Sequence, residues 1–300
     1  MLYTHLSLNN ESDKTLSHNY YVIAKMLSPS YHAHIICHNI IGGLSDVGRH
    51  AILAALEKQT IDEVTVITEY PELLDETNWE CNCPGGHTNP FNDPSLSSRL
   101  EMVKIDTWKK EQSNLSQHFI GATGVVSCLG HRQPGWKNKE LKTRGLIAYD
   151  GNKQVIKAMG EAKVDRVTVI SSFAIGDGGT KSWPHWASKF MCLLFKTCMR
   201  KSGKDLKKME KIYKESNLDY LFVKPVGIGE DVSPDPNGHY YLQASGDKKT
   251  RDNAGKIYPN DIVGGNMAKM DVARFMVEEV INPTLYRTSQ VVGSKPGTPM

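Results

Sequence analysis

Short runs of β-branched residues alternate with helix-length segments along most of this chain, and few architectures accept that rhythm. HIICHNII (34–41), EVTVIT (63–68), EMVKID (101–106), GVVSCLG (124–130), RVTVISS (166–172) and YLFVKP (220–225) have the length and residue types of strands. Residues 49–58, 152–162 and 206–216 have helical periodicity. Val155, Ile156 and Met159 share a face of the second, and Leu206, Met209 and Tyr213 a face of the third. Strands that are apolar on both sides need helices on both sides of a parallel sheet. Right-handed crossovers then make a doubly wound α/β sheet the simplest closure. Two stretches interrupt the rhythm. Residues 71–99, with four prolines and paired glycines, predict a long surface insertion, and residues 231–256 a polar loop or hairpin.

Charge and composition narrow the partners. Thirty-six Lys and Arg against 33 Asp and Glu leave a net charge of +3, and 39% of the 300 residues are hydrophobic, the balance of a soluble globular chain. The dense positive field of a nucleic-acid binder is missing. No apolar run approaches the roughly 20 residues that span a bilayer. Six cysteines are too sparse for a disulfide scaffold and predict free thiols in a reducing compartment, the cytoplasm. Residues 1–30 are polar, lack the pattern of a secretory signal, and are expected to be an appendage to one domain spanning 31–295.

The first strand and first helix are separated by Gly42-Gly43-Leu44-Ser45-Asp46-Val47-Gly48. A dinucleotide-binding turn needs small residues there, so that a pyrophosphate can approach the amides opening the helix. Gly42 and Gly48 occupy the first and third glycine positions, with Ser45 at the second; an ordinary strand–helix turn is the alternative. Glu69 ends the second strand, where an acidic residue holds the adenosine ribose and repels a 2′-phosphate, which leans toward NAD(H) over NADP(H). A solvated surface glutamate is the other reading. Asp106 ends the third strand, as an adenine contact or a plain turn. Cys128, Leu129 and Gly130 end the fourth strand and Ser171 and Ser172 the fifth, on the edge where such sheets bind ligands. A serine there suits a nicotinamide amide or a substrate carbonyl, although paired serines also serve as turn residues.

Other constellations compete. Lys196, Arg200, Lys204, Lys207, Lys211 and Lys214 make a basic stripe on a continuous helix, which Gly203 is expected to break into a solvated face. Residues 186–199 are apolar enough to lie over the crevice or to join the core. Cys81, Cys83 and His87 have zinc-ligand chemistry without a fourth ligand at familiar spacing. GATG at 121–124 leads into a strand rather than a helix and is not a nucleotide turn.

Larger segments carry a family likeness. KDLKKMEKIYKESNLDYLFVKPVGIGED (204–231), VDRVTVISSFAIGD (164–177), AYDGNKQVIKAM (148–159) and MDVARFMVEEV (270–280) resemble the atypical short-chain dehydrogenases. Within these, they are closest to the NmrA-like and flavin reductase (biliverdin-IXβ reductase) group. The resemblance implies a Rossmann fold, an NAD(P)(H) cofactor and no Tyr-x-x-x-Lys pair. It also implies a small-molecule acceptor that is planar and conjugated: a flavin, quinone or tetrapyrrole. Ser172 matches the family serine beside nicotinamide and substrate, and Val226, Gly227 and Ile228 the loop that closes over the nicotinamide. Residues 178–203 and 226–269 then fall on the substrate side. Gly227 and Glu210 stand where the biliverdin reductase has histidines. A non-catalytic dinucleotide-binding regulator or assembly factor is the alternative.

Overall fold

The computed structural model describes residues 31–36, 47–69, 71, 74, 89–129, 147–176, 186–197, 199–229, 240–244, 249–258, 262–265 and 267–296. Among them, ten strands form one sheet, in the order β3-β2-β1-β4-β5-β6-β10-β7-β8-β9. The parallel portion holds β3 (Leu100–Lys104), β2 (Ile61–Thr68), β1 (Tyr31–Ile36), β4 (Gly124–Ser127), β5 (Arg166–Ile170), β6 (Asp219–Pro225) and β10 (Thr288–Gly293). The antiparallel strands β7 (Tyr241–Ala244), β8 (Thr250–Asp252) and β9 (Ile257–Tyr258) continue beyond β10. This is the doubly wound α/β architecture expected from the sequence.

Period-two alternation sends each central strand into two cores. In β6, Leu221 and Val223 enter one cluster, while Tyr220 and Phe222 enter the other. The first core is covered by α1 (Val47–Leu56) and α6 (Lys269–Ile281), the second by α3 (Ala148–Ala162) and α5 (Arg200–Glu215). Residues buried on both faces explain why these strands read as continuous apolar runs. Arg274 forks onto Glu57 at 3.0 Å, and Lys58 reaches Glu278 at 2.6 Å, lacing α6 to α1. At the amino edge of the sheet, Arg166 is bonded to the carbonyl and carboxylate of Glu279 at 2.8 and 3.0 Å.

Several boundaries differ from expectation. Strand β1 begins at Tyr31, three residues before the anticipated start, and residues 37–41 lie outside the described residues. Strand β3 closes at Lys104, so Asp106 sits in the following loop and is exposed. Gly203 does not break its helix: it is buried inside α5, with its N–H bonded to Met199 O at 2.9 Å. Its intrinsic cost of about 1 kcal/mol is outweighed by burying the Leu206, Met209 and Tyr213 face. The interruption falls earlier, between α4 (Trp186–Lys196) and α5, so Lys196 belongs to a separate helix from the other members of the basic stripe. The insertion at 71–99 contains, in its described part, a short helix α2 (Pro94–Ser97) capped by Asp93. Strand β10 was not anticipated. TSQVVG has little apolar content, yet Gln290, Val291 and Val292 are buried between two neighbouring strands.

Candidate functional site at the carboxyl edge of the sheet

The chain leaves β1 toward β2 on one side and resumes at β4 on the other, so the carboxyl ends of β1 and β4 flank a topological switch point. Ligands of open α/β sheets bind there. Helix α1 starts at this edge, with Val47 and Gly48 buried and no acidic residue in its first turn. Such a helix end suits a pyrophosphate. Gly42, Leu44, Ser45, Asp46 and Gly130 lie outside the described residues, as do Cys81, Cys83 and His87.

Beyond β4, Leu129 is buried and Cys128 half-buried. The last strand residue, Ser127, donates to Asn152 Oδ1 at 2.7 Å, and the Tyr213 hydroxyl donates to the same oxygen at 2.8 Å. Asn152 in turn donates to Ala148 O, so two helices and a strand are joined below the crevice. Burial pushes the Tyr213 phenol far above its ordinary value, which suits a structural donor and not an acid. Tyr213→Phe is expected to cost about 1 kcal/mol in urea denaturation. Asn152→Ala, which strands both hydroxyls, should cost more. Equal losses would contradict the shared-acceptor arrangement.

On the β2 side, Glu69 is only 7% exposed and accepts the Trp108 backbone N–H. It anchors the loop after β3 at the edge where an adenosine ribose would lie, and it is not a solvated glutamate. Asp106 lies in the same loop.

The β5–β6 side holds the densest polar cluster. Ser171 extends the sheet, its N–H bonded to Val223 O at 2.8 Å, and its hydroxyl donates to Glu210 Oε1 at 2.7 Å. Lys224 Nζ lies 3.1 Å from the same carboxylate oxygen and donates to Ile175 O at 2.7 Å. The Lys224 and Glu210 side chains are 0% and 2% exposed. Among the described residues Glu210 Oε2 has no hydrogen-bond partner, and it faces Gly176, where a Cβ would stand 1.9 Å from it. Ser172 turns the other way: its oxygen accepts from Ala174 N–H at 3.3 Å and its carbonyl from Ile175 N–H at 3.0 Å. Both serines are half-buried at the rim.

Lys224, Gly176 and the partnership of Glu210 with Ser171 were missed in the sequence. A signal for Glu210 was present: it stands four residues after Leu206 and one after Met209, on the apolar face of α5. Lys224 was the one charge in the run YLFVKP.

Val226 is buried with its N–H on Val292 O, and Gly227 adopts φ +64, left-handed backbone that favours glycine. Gly227 O accepts from Met267 N–H at 2.7 Å, Gly229 N–H donates to Met267 O at 3.0 Å, and Ile228 forms a parallel bridge with Met267. The 226–229 loop is therefore fastened to the residues that open α6. Helix α4 packs Cys192 against Phe173, Ala174 and Val226, and burial pushes that thiol up. Phe190 and Leu193 of α4 are 61% and 57% exposed, so the segment only partly joins the core.

Among the described residues, no helix is long and apolar enough to cross a membrane and no cluster of metal-binding side chains occurs. A helix at the switch point whose first turn carries no acidic residue, together with two hydroxyls just beyond β5, fits a bound dinucleotide.

A family model described as NAD(P)H-binding matches residues 87–283, which hold β3 to β9 and α2 to α6 but not the turn at 42–48. Solved structures with the same fold include a short-chain dehydrogenase/reductase of Veillonella parvula in ethylated form. It has 14% identity and a TM-score of 0.58, with 89% of this chain and 95% of that chain covered. A structure from the same organism in complex with NADP has 14% identity and a TM-score of 0.56, covering 89% and 96%. ChuY, an anaerobillin reductase of Escherichia coli O157:H7, has 15% identity and a TM-score of 0.53, covering 88% and 97%. No curated protein matches the chain in sequence.

Proposed function

The chain belongs to the NAD(P)H-binding family, and from that premise we propose that it is a dinucleotide-dependent oxidoreductase acting on a planar, conjugated small-molecule acceptor. The carrying observation is the pair of rim hydroxyls at the end of β5, beside the switch point of the sheet. When bound, the reduced nicotinamide supplies hydride from C4. Ser172, whose oxygen is already turned by the Ala174 amide, donates a hydrogen bond to a carbonyl of the acceptor and so orients it. Among the described residues Tyr213 is committed to Asn152 and the Glu210–Lys224 pair is closed to solvent, which leaves water as the source of the proton that completes reduction.

The test is oxidation of NADH and NADPH by purified protein with flavins, quinones and linear tetrapyrroles. Turnover with at least one acceptor is expected, falling on the order of a hundredfold in Ser172→Ala. Dinucleotide binding without turnover across the whole panel would instead support the non-catalytic reading.

Coenzyme preference follows from Glu69. A buried carboxylate at the end of β2 repels a 2′-phosphate, so NADH should bind about tenfold tighter than NADPH, a difference of about 1.4 kcal/mol. Glu69→Gln keeps an acceptor for Trp108 N–H while removing the charge, and should narrow the gap in calorimetric titration. An unchanged ratio would remove Glu69 from the ribose site.

A further inference from the structure

Ser171 and Ser172 are neighbours in the chain and opposites in hydrogen-bond character. Ser171 continues the sheet through its N–H and sends its hydroxyl to α5, whereas Ser172 opens the turn at 172–175 and its oxygen accepts within that turn. An ionised carboxylate only accepts hydrogen bonds. Lys224 supplies the positive partner of Glu210 at 3.1 Å, so the 2.7 Å bond between Ser171 and Glu210 must be donated by the serine. A bond to an ionised acceptor is stronger than a neutral one and holds its donor in place. The Ser171 hydroxyl has no second proton. What remains for the crevice is its lone pairs.

We infer that Ser171 is an acceptor-only position, held so by Glu210 and Lys224, that takes a hydrogen bond from the carboxamide N–H of the bound nicotinamide. The inference rests on the dinucleotide reading above. Glu69 and the β2–β3 loops mark the adenosine side of the switch point, so the nicotinamide half falls toward β4, β5 and β6. On the nicotinamide ring, the carboxamide carries the N–H donors. Ribose hydroxyls both donate and accept, and gain nothing specific from a partner that can only accept. Glu210 and Lys224 are thereby positioning residues. Apolar side chains of similar volume would serve folding as well as a buried ion pair. They would leave the Ser171 proton free to rotate toward the ligand.

The test is calorimetric titration of the full chain with NAD and with 3-acetylpyridine adenine dinucleotide, in which a methyl group replaces the carboxamide nitrogen. Wild-type protein is expected to bind NAD about tenfold tighter, the value of one hydrogen bond made or lost. Ser171→Ala, which leaves the Glu210–Lys224 pair intact, should bring the two affinities within about twofold, mainly by weakening NAD. Ser171→Thr should restore the preference. Replacing the pair by Glu210→Met with Lys224→Met removes the acceptor of the serine proton, lets it turn outward, and should shrink the same ratio. A preference for NAD that persists in Ser171→Ala overturns the inference while leaving dinucleotide binding standing. A wild-type protein that binds the two equally does the same. A stable double variant with the wild-type ratio removes Glu210 and Lys224 from the role. Failure of the wild-type chain to bind NAD at all would take down the dinucleotide reading together with this one.

Discussion

Lys224→Met is expected to lower folding stability by about 3–5 kcal/mol, because it leaves the Glu210 carboxylate buried without its cation. Glu210 and Lys224 lie inside the layer between α5 and the sheet, where water cannot compensate a lone charge. The double variant Lys224→Met with Glu210→Met should recover most of the loss, since two well-packed apolar side chains replace two desolvated charges. Urea denaturation, with slopes compared across the three proteins, separates the outcomes. A double variant as unstable as the single one would show that the lysine matters for packing and not for charge. The recovered double variant should also lose its preference for NAD over the acetylpyridine analogue, because Ser171 is then free to turn.

The second large effect lies one turn away. Gly176 has φ +81, and a Cβ there would meet Glu210 Oε2 at 1.9 Å and Lys224 Nζ at 2.7 Å. Gly176→Ala combines left-handed strain of about 1 kcal/mol with overpacking of about 1–3 kcal/mol, so a total loss of about 2–4 kcal/mol is expected. The methyl group would also push Glu210 off Ser171, so weaker NAD binding should accompany the loss. Denaturation and titration on one preparation decide the matter. A stable Gly176→Ala protein would mean that the turn at 173–176 can shift without disturbing the ion pair, contrary to the Lys224 bond to Ile175 O.

Much of the scaffold was legible because burial on two faces forces β-branched runs. Residues 166–172 and 220–225 could be read as strands from their apolar, β-branched runs, of which 166–170 and 219–225 form β5 and β6, and Leu206, Met209 and Tyr213 identified the inward face of α5. Strand order was not legible: pairing of β10 with β6 depends on contacts some 67 residues apart (288 − 221), which leave no local mark. Gly203 misled because helix propensity is a weak prior against tertiary burial. At the site, the rim serines were visible as the end of a strand. The charges beneath them were not, because a lysine in an apolar strand and a glutamate on an apolar helix face each look like an exception until the fold sets them together.

The two hydrogen bonds between residues 227–229 and Met267, which together make one parallel bridge, constrain how this molecule can respond to a ligand. A free flap over the crevice would close as a hinged lid and leave the scaffold still. Here the segment is stapled to the start of α6, which is itself clasped to α1 through Arg274 and Lys58. Load placed on the 226–229 loop is therefore shared with the α1–α6 layer rather than confined to the rim.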